Sequence, residues 1–174
     1  LPNGDFFVTD GYGNSRVVKF SREGKYLMEW GRRGTGPGEF DLPHAIVIDS
    51  RQRLYVSDRE NNRIQIFDAG GRFLGQWTHL GATQGMDINS RDELWIITHR
   101  NKEENIAYDT LAGRIMRIDV ETGRILGSME SPGHWLALGR GPEIYIGSLT
   151  GNVFKWTPGW SAGLREQAPG VTAR

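Results

Sequence analysis

Leu54-Tyr55-Val56-Ser57-Asp58, Asn62-Arg63-Ile64-Gln65-Ile66-Phe67 and Gly71-Arg72-Phe73-Leu74-Gly75-Gln76-Trp77 follow one another as three short runs rich in β-branched and aromatic residues. Turn-forming residues separate them, the pattern of half-buried strands joined by hairpins. The same three runs occur earlier as Phe7-Val8-Thr9-Asp10, Ser15-Arg16-Val17-Val18-Lys19-Phe20 and Gly24-Lys25-Tyr26-Leu27-Met28-Glu29-Trp30-Gly31. Phe20 matches Phe67 and Trp30 matches Trp77, so the period is roughly 47 residues, within the range of propeller blades.

Two further units extend the series. The third is looser: Glu93-Leu94-Trp95-Ile96-Ile97-Thr98, an insertion over Arg100 to Asp109, Gly113-Arg114-Ile115-Met116-Arg117-Ile118-Asp119, and Gly123-Arg124-Ile125-Leu126-Gly127. The fourth is Glu143-Ile144-Tyr145-Ile146-Gly147-Ser148 and Gly151-Asn152-Val153-Phe154-Lys155-Trp156. A short strand precedes units two to four, over Ala45–Asp49, Gly85–Asn89 and Trp135–Gly139, which gives four strands per blade. Glu23-Gly24, Ala69-Gly70-Gly71 and Thr122-Gly123 supply residues suited to tight hairpins. The expected fold is all-β: a propeller of four-stranded blades over residues 1–156, three to four blades of a larger ring, with little or no helix. A polar tail is expected over 157–174. The opening Leu1-Pro2-Asn3-Gly4-Asp5 reads as the middle of a domain, with the innermost strand of the first unit lying upstream.

The chain has 174 residues, with 21 Lys+Arg against 21 Asp+Glu and no cysteine. Zero net charge without a basic stripe gives no basis for a nucleic-acid partner. No apolar run approaches the length of about 18 residues that suggests a membrane span, so no membrane partner is expected. Oligomeric state is not readable. Without cysteine, any metal must be held by His, carboxylate or backbone oxygen. The 24 glycines and six tryptophans fit hairpin turns between short aromatic strands.

Of the four histidines, two open a first strand of a blade: His44 in Leu42-Pro43-His44-Ala45-Ile46, and His134 in Ser131-Pro132-Gly133-His134-Trp135-Leu136. First strands line a propeller's channel, so the two imidazoles are expected to converge there as metal ligands. A histidine that caps its strand through the backbone is the structural alternative. A catalytic zinc site takes three protein ligands and an open position, so two are one short. Arg59, in Asp58-Arg59-Glu60-Asn61-Asn62-Arg63, could grip a carboxylate or steady an oxyanion, or simply pair with Asp58 or Glu60. Tyr12 occupies the matching loop, Asp10-Gly11-Tyr12-Gly13-Asn14-Ser15-Arg16. A phenol becomes a competent base only when positive charge lowers its pKa of about 10; otherwise Tyr12 is an aromatic filler. Arg16 and Arg63 recur at one repeat position and read as structural. Gly34-Thr35-Gly36-Pro37-Gly38 lacks the Gly-Lys-Ser/Thr ending of a phosphate loop.

On Val8-Thr9-Asp10-Gly11-Tyr12 through Phe20, Leu42-Pro43-His44 and Asp58-Arg59-Glu60-Asn61-Asn62-Arg63-Ile64-Gln65, the sequence resembles the peptidyl-α-hydroxyglycine α-amidating lyases among the NHL-repeat propellers. The likeness runs over residues 2–156. It implies a six-bladed propeller with zinc in its channel. It also implies cleavage of the N–Cα bond of a C-terminal α-hydroxyglycine to an amide and glyoxylate. Tyr12 falls at the family's catalytic base and Arg59 at a substrate-binding arginine. His44 and His134 fall at two zinc histidines. The third histidine and a second arginine would lie upstream of Leu1. Gly133-His134-Trp135 stands where the family has Met-Pro-His-Asp, so Trp135 replaces the calcium-ligating Asp and calcium is not expected. Gly13 replaces a disulfide cysteine, as in a bacterial relative. The resemblance implies a peptide or small-molecule substrate and a secreted or periplasmic location. The alternatives are a non-catalytic NHL propeller that binds a peptide, glycan or small ligand, and a calcium-dependent lactonase-like propeller. The latter needs channel carboxylates that the first strands lack.

Overall fold

The computed structural model describes residues 1–99, 113–131, 133–149 and 151–157. The insertion Arg100–Asp109 and the tail beyond Thr157 lie outside them. The described residues contain fourteen strands and no helix. Blade 1 is β1 (Phe6–Asp10), β2 (Arg16–Phe20) and β3 (Tyr26–Trp30). Blade 2 is β4 (Pro43–Ile48), β5 (Leu54–Asp58), β6 (Arg63–Phe67) and β7 (Phe73–Trp77). Blade 3 is β8 (Thr83–Ile88), β9 (Leu94–Thr98), β10 (Arg114–Ile118) and β11 (Ile125–Glu130). Blade 4 is β12 (Trp135–Leu138), β13 (Ile144–Gly147) and β14 (Val153–Trp156). Each sheet is antiparallel with its strands in chain order, and β1, β4, β8 and β12 adjoin in succession.

The period-two alternation of the middle strands accounts for this stacking. Leu54 and Val56 of β5 face blade 1, in a cluster with Val17, Phe40 and Phe67. Tyr55 faces blade 3, with Ile64, Trp77, Leu94 and Ile96. One blade further on, Leu94 and Ile96 of β9 point back to blade 2, while Trp95 and Ile97 point on to Leu136, Ile144 and Ile146 of blade 4. A strand with sheets on both sides reads as a continuous apolar run, and every residue of β5 and β9 is buried.

The hairpin glycines have a second task. Gly71 and Gly123 adopt φ of 82° and 73°, which glycine reaches without a Cβ penalty. They also lie directly beneath the indole of the preceding blade. A Cβ on Gly71 would stand 3.0 Å from the Trp30 ring, and one on Gly123 would stand 2.6 Å from the Trp77 ring. The two repeat-equivalent tryptophans thus each pack onto the outer turn of the next blade.

The innermost strands of blades 2 and 3 start earlier than the pattern suggests, at Pro43 and Thr83. In both, the ladder shifts by one residue. Pro43 pairs with Asp58 and Ala45 with Ser57, skipping His44. Thr83 pairs with Thr98 and Gly85 with Ile97, skipping Gln84. Each skipped residue is a β-bulge, a device that re-aims a side chain.

Candidate functional site

The strand register defines which residues are equivalent at the top of the channel. Ala45, Gly85 and Trp135 each pair with the fourth residue of the next strand, at Ser57, Ile97 and Gly147. The residues just before them are therefore equivalent: His44, Gln84 and His134, from three consecutive blades. All three are buried, and their side chains meet groups from neighbouring blades.

His44 is held on two edges. Its Nδ1–H donates to the carbonyl of Gln84 at 2.6 Å, leaving Nε2 as an acceptor for the Tyr12 hydroxyl at 3.2 Å. Burial is the main cause that holds His44 below its ordinary pKa, and the Arg59 charge adds to it against the opposing Gln84 bond and Glu60. His134 is likewise depressed, first by burial, then by His44, His99 and Arg59. Both imidazoles therefore favour the neutral form that ligates metals.

Tyr12 reaches His44 because Gly11 lets the blade 1 loop press on blade 2. A Cβ on Gly11 would stand 2.2 Å from the Pro43 carbonyl oxygen. Tyr12 itself is 79% exposed and meets the His44 ring at 5.8 Å between centroids. Arg59 places its guanidinium carbon 5.9 Å from the Tyr12 ring centre, within cation–π range. Its Nε donates to Glu60 Oε1 at 2.7 Å and its Nη1 to Gln84 Oε1 at 3.3 Å. The Glu60 pairing weighed above thus forms, and it leaves Arg59 beside Tyr12 all the same.

The structure therefore gathers Tyr12, His44, Arg59 and His134 in one place. The His44 and His134 rings are 5.4 Å apart at 87°. Two imidazoles on one tetrahedral zinc, with Zn–N bonds of about 2.0–2.1 Å, hold ring centres roughly 5 Å apart. His134 Nδ1 is buried without a hydrogen-bond partner, a costly state that a ligand relieves. Among the described residues no group of three or more His, Cys, Asp or Glu side chains is placed to hold a metal. The pair fits two ligands of such an ion.

Two neighbours escape the motif reading. Gln84 links His44 to Arg59. His99, exposed, brings its ring to 6.1 Å from His134. It follows β9 as Arg59 follows β5, and the two share a backbone bond: Arg59 N–H to Leu42 O at 3.3 Å and His99 N–H to Ala82 O at 3.2 Å. Aligning Thr98-His99 with Asp58-Arg59 would have exposed this equivalence. The remaining histidine, His79, bonds through Nε2 to the Gly123 carbonyl.

Comparison with known proteins places these observations in a family. The profile of a family described as 6-bladed beta-propeller matches residues 2–88. Human NHL repeat-containing protein 3 is 41% identical over 85 residues, 47% of this chain and 24% of that protein. Peptidyl-alpha-hydroxyglycine alpha-amidating lyase 1 of Drosophila melanogaster is 39% identical over 87 residues, 44% of this chain and 16% of that protein. The matched stretch is thus less than a quarter of either relative's length. Among solved structures, virginiamycin B lyase of Staphylococcus aureus superposes with a TM-score of 0.58 at 18% identity, covering 92% of this chain and 54% of that one. That likeness speaks for the fold alone. With repeated antiparallel sheets stacked in succession and a profile match over half its length, the chain belongs to the six-bladed β-propeller family, and it is related in sequence to NHL repeat-containing and peptide-amidating lyase proteins.

Proposed function

We propose that this protein is a zinc-dependent lyase that cleaves the N–Cα bond of a C-terminal α-hydroxyglycine, giving an amide and glyoxylate. The observation that carries the reading is the convergence of Tyr12 and His134 on His44, with Arg59 beside Tyr12; His44 Nε2, which accepts from the Tyr12 hydroxyl at 3.2 Å, would exchange that contact for the metal. His44 and His134 would hold the metal together with a ligand from another blade. When bound, zinc supplies Lewis-acid polarisation and acidifies a coordinated hydroxyl.

The chain's own residues perform the remaining tasks. Tyr12 takes the proton of the substrate hydroxyl as general base. The C–O bond becomes C=O as the N–Cα bond breaks, and the bond's electron pair goes to nitrogen. Returning the proton from Tyr12 to that nitrogen completes the amide, so the reaction is neither oxidative nor reductive. Arg59, whose guanidinium lies beside the Tyr12 ring, binds the substrate carboxylate. The substrate is a peptide or a small carbinolamide, and a secreted or periplasmic site of action belongs to the same reading.

Tyr12→Phe in the intact protein tests this. Turnover of an α-hydroxyglycine peptide should fall at least about 100-fold, the contribution expected of a general base, while bound zinc stays constant. His44→Ala should lose both zinc and turnover. Full turnover in Tyr12→Phe would leave a second reading, favoured by the likeness to NHL repeat-containing protein 3: a non-catalytic propeller that binds a peptide, glycan or small ligand.

A further inference from the structure

Blades 2 and 3 place Ala45 and Gly85 at the channel position where blade 4 has Trp135. That one large side chain makes contacts that its small equivalents cannot. The indole of Trp135 lies flat on the His44 imidazole, 4.9 Å between ring centres at 18°. It also stands edge-on to His134 at 5.4 Å and 79°. The first contact skips a blade, so the side chain reaches past blade 3 from blade 4 to blade 2. Gly85 keeps the intervening strand out of the way: a Cβ there would stand 3.3 Å from both Trp135 Cα and Leu136 N. Trp135 nevertheless remains 48% exposed, so burial in a core does not account for its place.

We infer that Trp135 is a positioning residue for the histidine pair, an aromatic plate that fixes the His44 ring and raises the pair's affinity for a divalent metal. The inference rests on the metal-binding part of the reading above. His44 is held at Nδ1 by the Gln84 carbonyl and at Nε2 by the Tyr12 hydroxyl, but two contacts in the ring plane leave the imidazole free to tilt about the line that joins them. A stacked indole removes this freedom. Groups that orient a ligating histidine typically change metal affinity about 10–100-fold when removed. The stack also favours the loaded state directly. Coordination draws electron density from an imidazole, and an electron-deficient ring stacks better on the electron-rich indole face.

Zinc affinity of the intact protein, measured by competition with a chromophoric chelator, tests the inference. Trp135→Ala should weaken zinc binding at least about 10-fold. Trp135→Phe, which keeps a ring in place, should recover most of the loss. In the metal-free protein, the His44 ring protons should carry an upfield ring-current shift that disappears in Trp135→Ala. This measurement needs no metal, and retained chemical-shift dispersion elsewhere in the same spectrum shows that the variant is folded. Unchanged zinc affinity in Trp135→Ala, or equal losses in Trp135→Ala and Trp135→Phe, would overturn the inference while leaving the metal site standing. Wild-type protein that binds no zinc would overturn both.

Discussion

Asp10 and Arg16 in blade 1 and Asp58 and Arg63 in blade 2 hold the same positions of the repeat, and each pair joins arginine Nε to Oδ2, at 2.9 and 2.7 Å. The settings differ. Arg16 and Asp10 are 34% and 33% exposed, whereas Arg63 and Asp58 are 6% and 0%. Among the described residues Arg16 has Glu29 as its one further partner. Arg63 also donates to the carbonyls of Thr35, Gly36 and Glu39 and to Gln76 Oε1, pinning the loop that leads into blade 2. The carboxyl groups respond in opposite directions. Hydrogen bonds from Asn14 and Arg16 pull Asp10 below its ordinary value, while burial pushes Asp58 above it against its donors. A motif repeated in sequence is thus a surface ornament in one blade and a buried clamp in the next. What decides is whether a loop folds over it.

The sharpest way to break this comparison is to remove the arginine. Arg63→Met should cost about 3–5 kcal/mol in urea unfolding, because it leaves Asp58 buried without its counter-ion. It should also lose amide-exchange protection over Gly34 to Glu39. An equal loss in Arg16→Met would erase the distinction between the blades.

Next in size is the loop that follows each aspartate. Gly11→Ala drives a Cβ toward the Pro43 carbonyl oxygen and should displace Tyr12 from His44, lowering turnover about 10–100-fold, as misplacing a reacting group does. Gly13→Ala, with nothing within 4 Å of its added carbon, should leave turnover unchanged. Similar kinetics in the two variants would show that the blade 1 loop does not set the position of Tyr12.

Asp58→Asn should cost less than Arg63→Met, about 1–3 kcal/mol, since the loop carbonyls keep Arg63. The smallest effect belongs to Asp10→Asn, a slight loss that fades in high salt. Acid separates the two carboxyls further. The Asp10 contribution is present above its unfolded value of about 3.8 and is lost as pH falls through its lower folded value, so wild type and Asp10→Asn converge in acid. For Asp58 the folded value lies above the unfolded one, so the folded state takes up its proton first, and wild type gains on Asp58→Asn as the pH falls. Parallel pH curves for the two variants would contradict this opposition.

The fold was legible because its signals repeat. Phe20 with Phe67 and Trp30 with Trp77 set the period, and the glycines at 24, 71 and 123 marked turns that the structure places there with positive φ. The early starts of β4 and β8 were not legible, since a bulge leaves no mark in composition. The grouping of the candidate residues was legible where they break the repeat at places the repeat defines: Tyr12 and Arg59 in matching loops, His44 and His134 at strand starts. Gln84 was hidden because its equivalence to the two histidines appears only once Gly85 is paired with Ile97. His99 was hidden because blade 3 has Thr98 where the motif has aspartate.

The lock between Trp30 and the turn at Gly71, repeated by Trp77 and Gly123, bears on how such a chain is made. On the ribosome, the indole that finishes one blade emerges some forty residues ahead of the glycine it will cover. At about 5–20 residues per second it waits a few seconds with its face open to water. Blades 1 and 2 are therefore born unfinished, and each is closed by its successor. The vulnerable surface travels down the nascent chain with synthesis and never accumulates behind it.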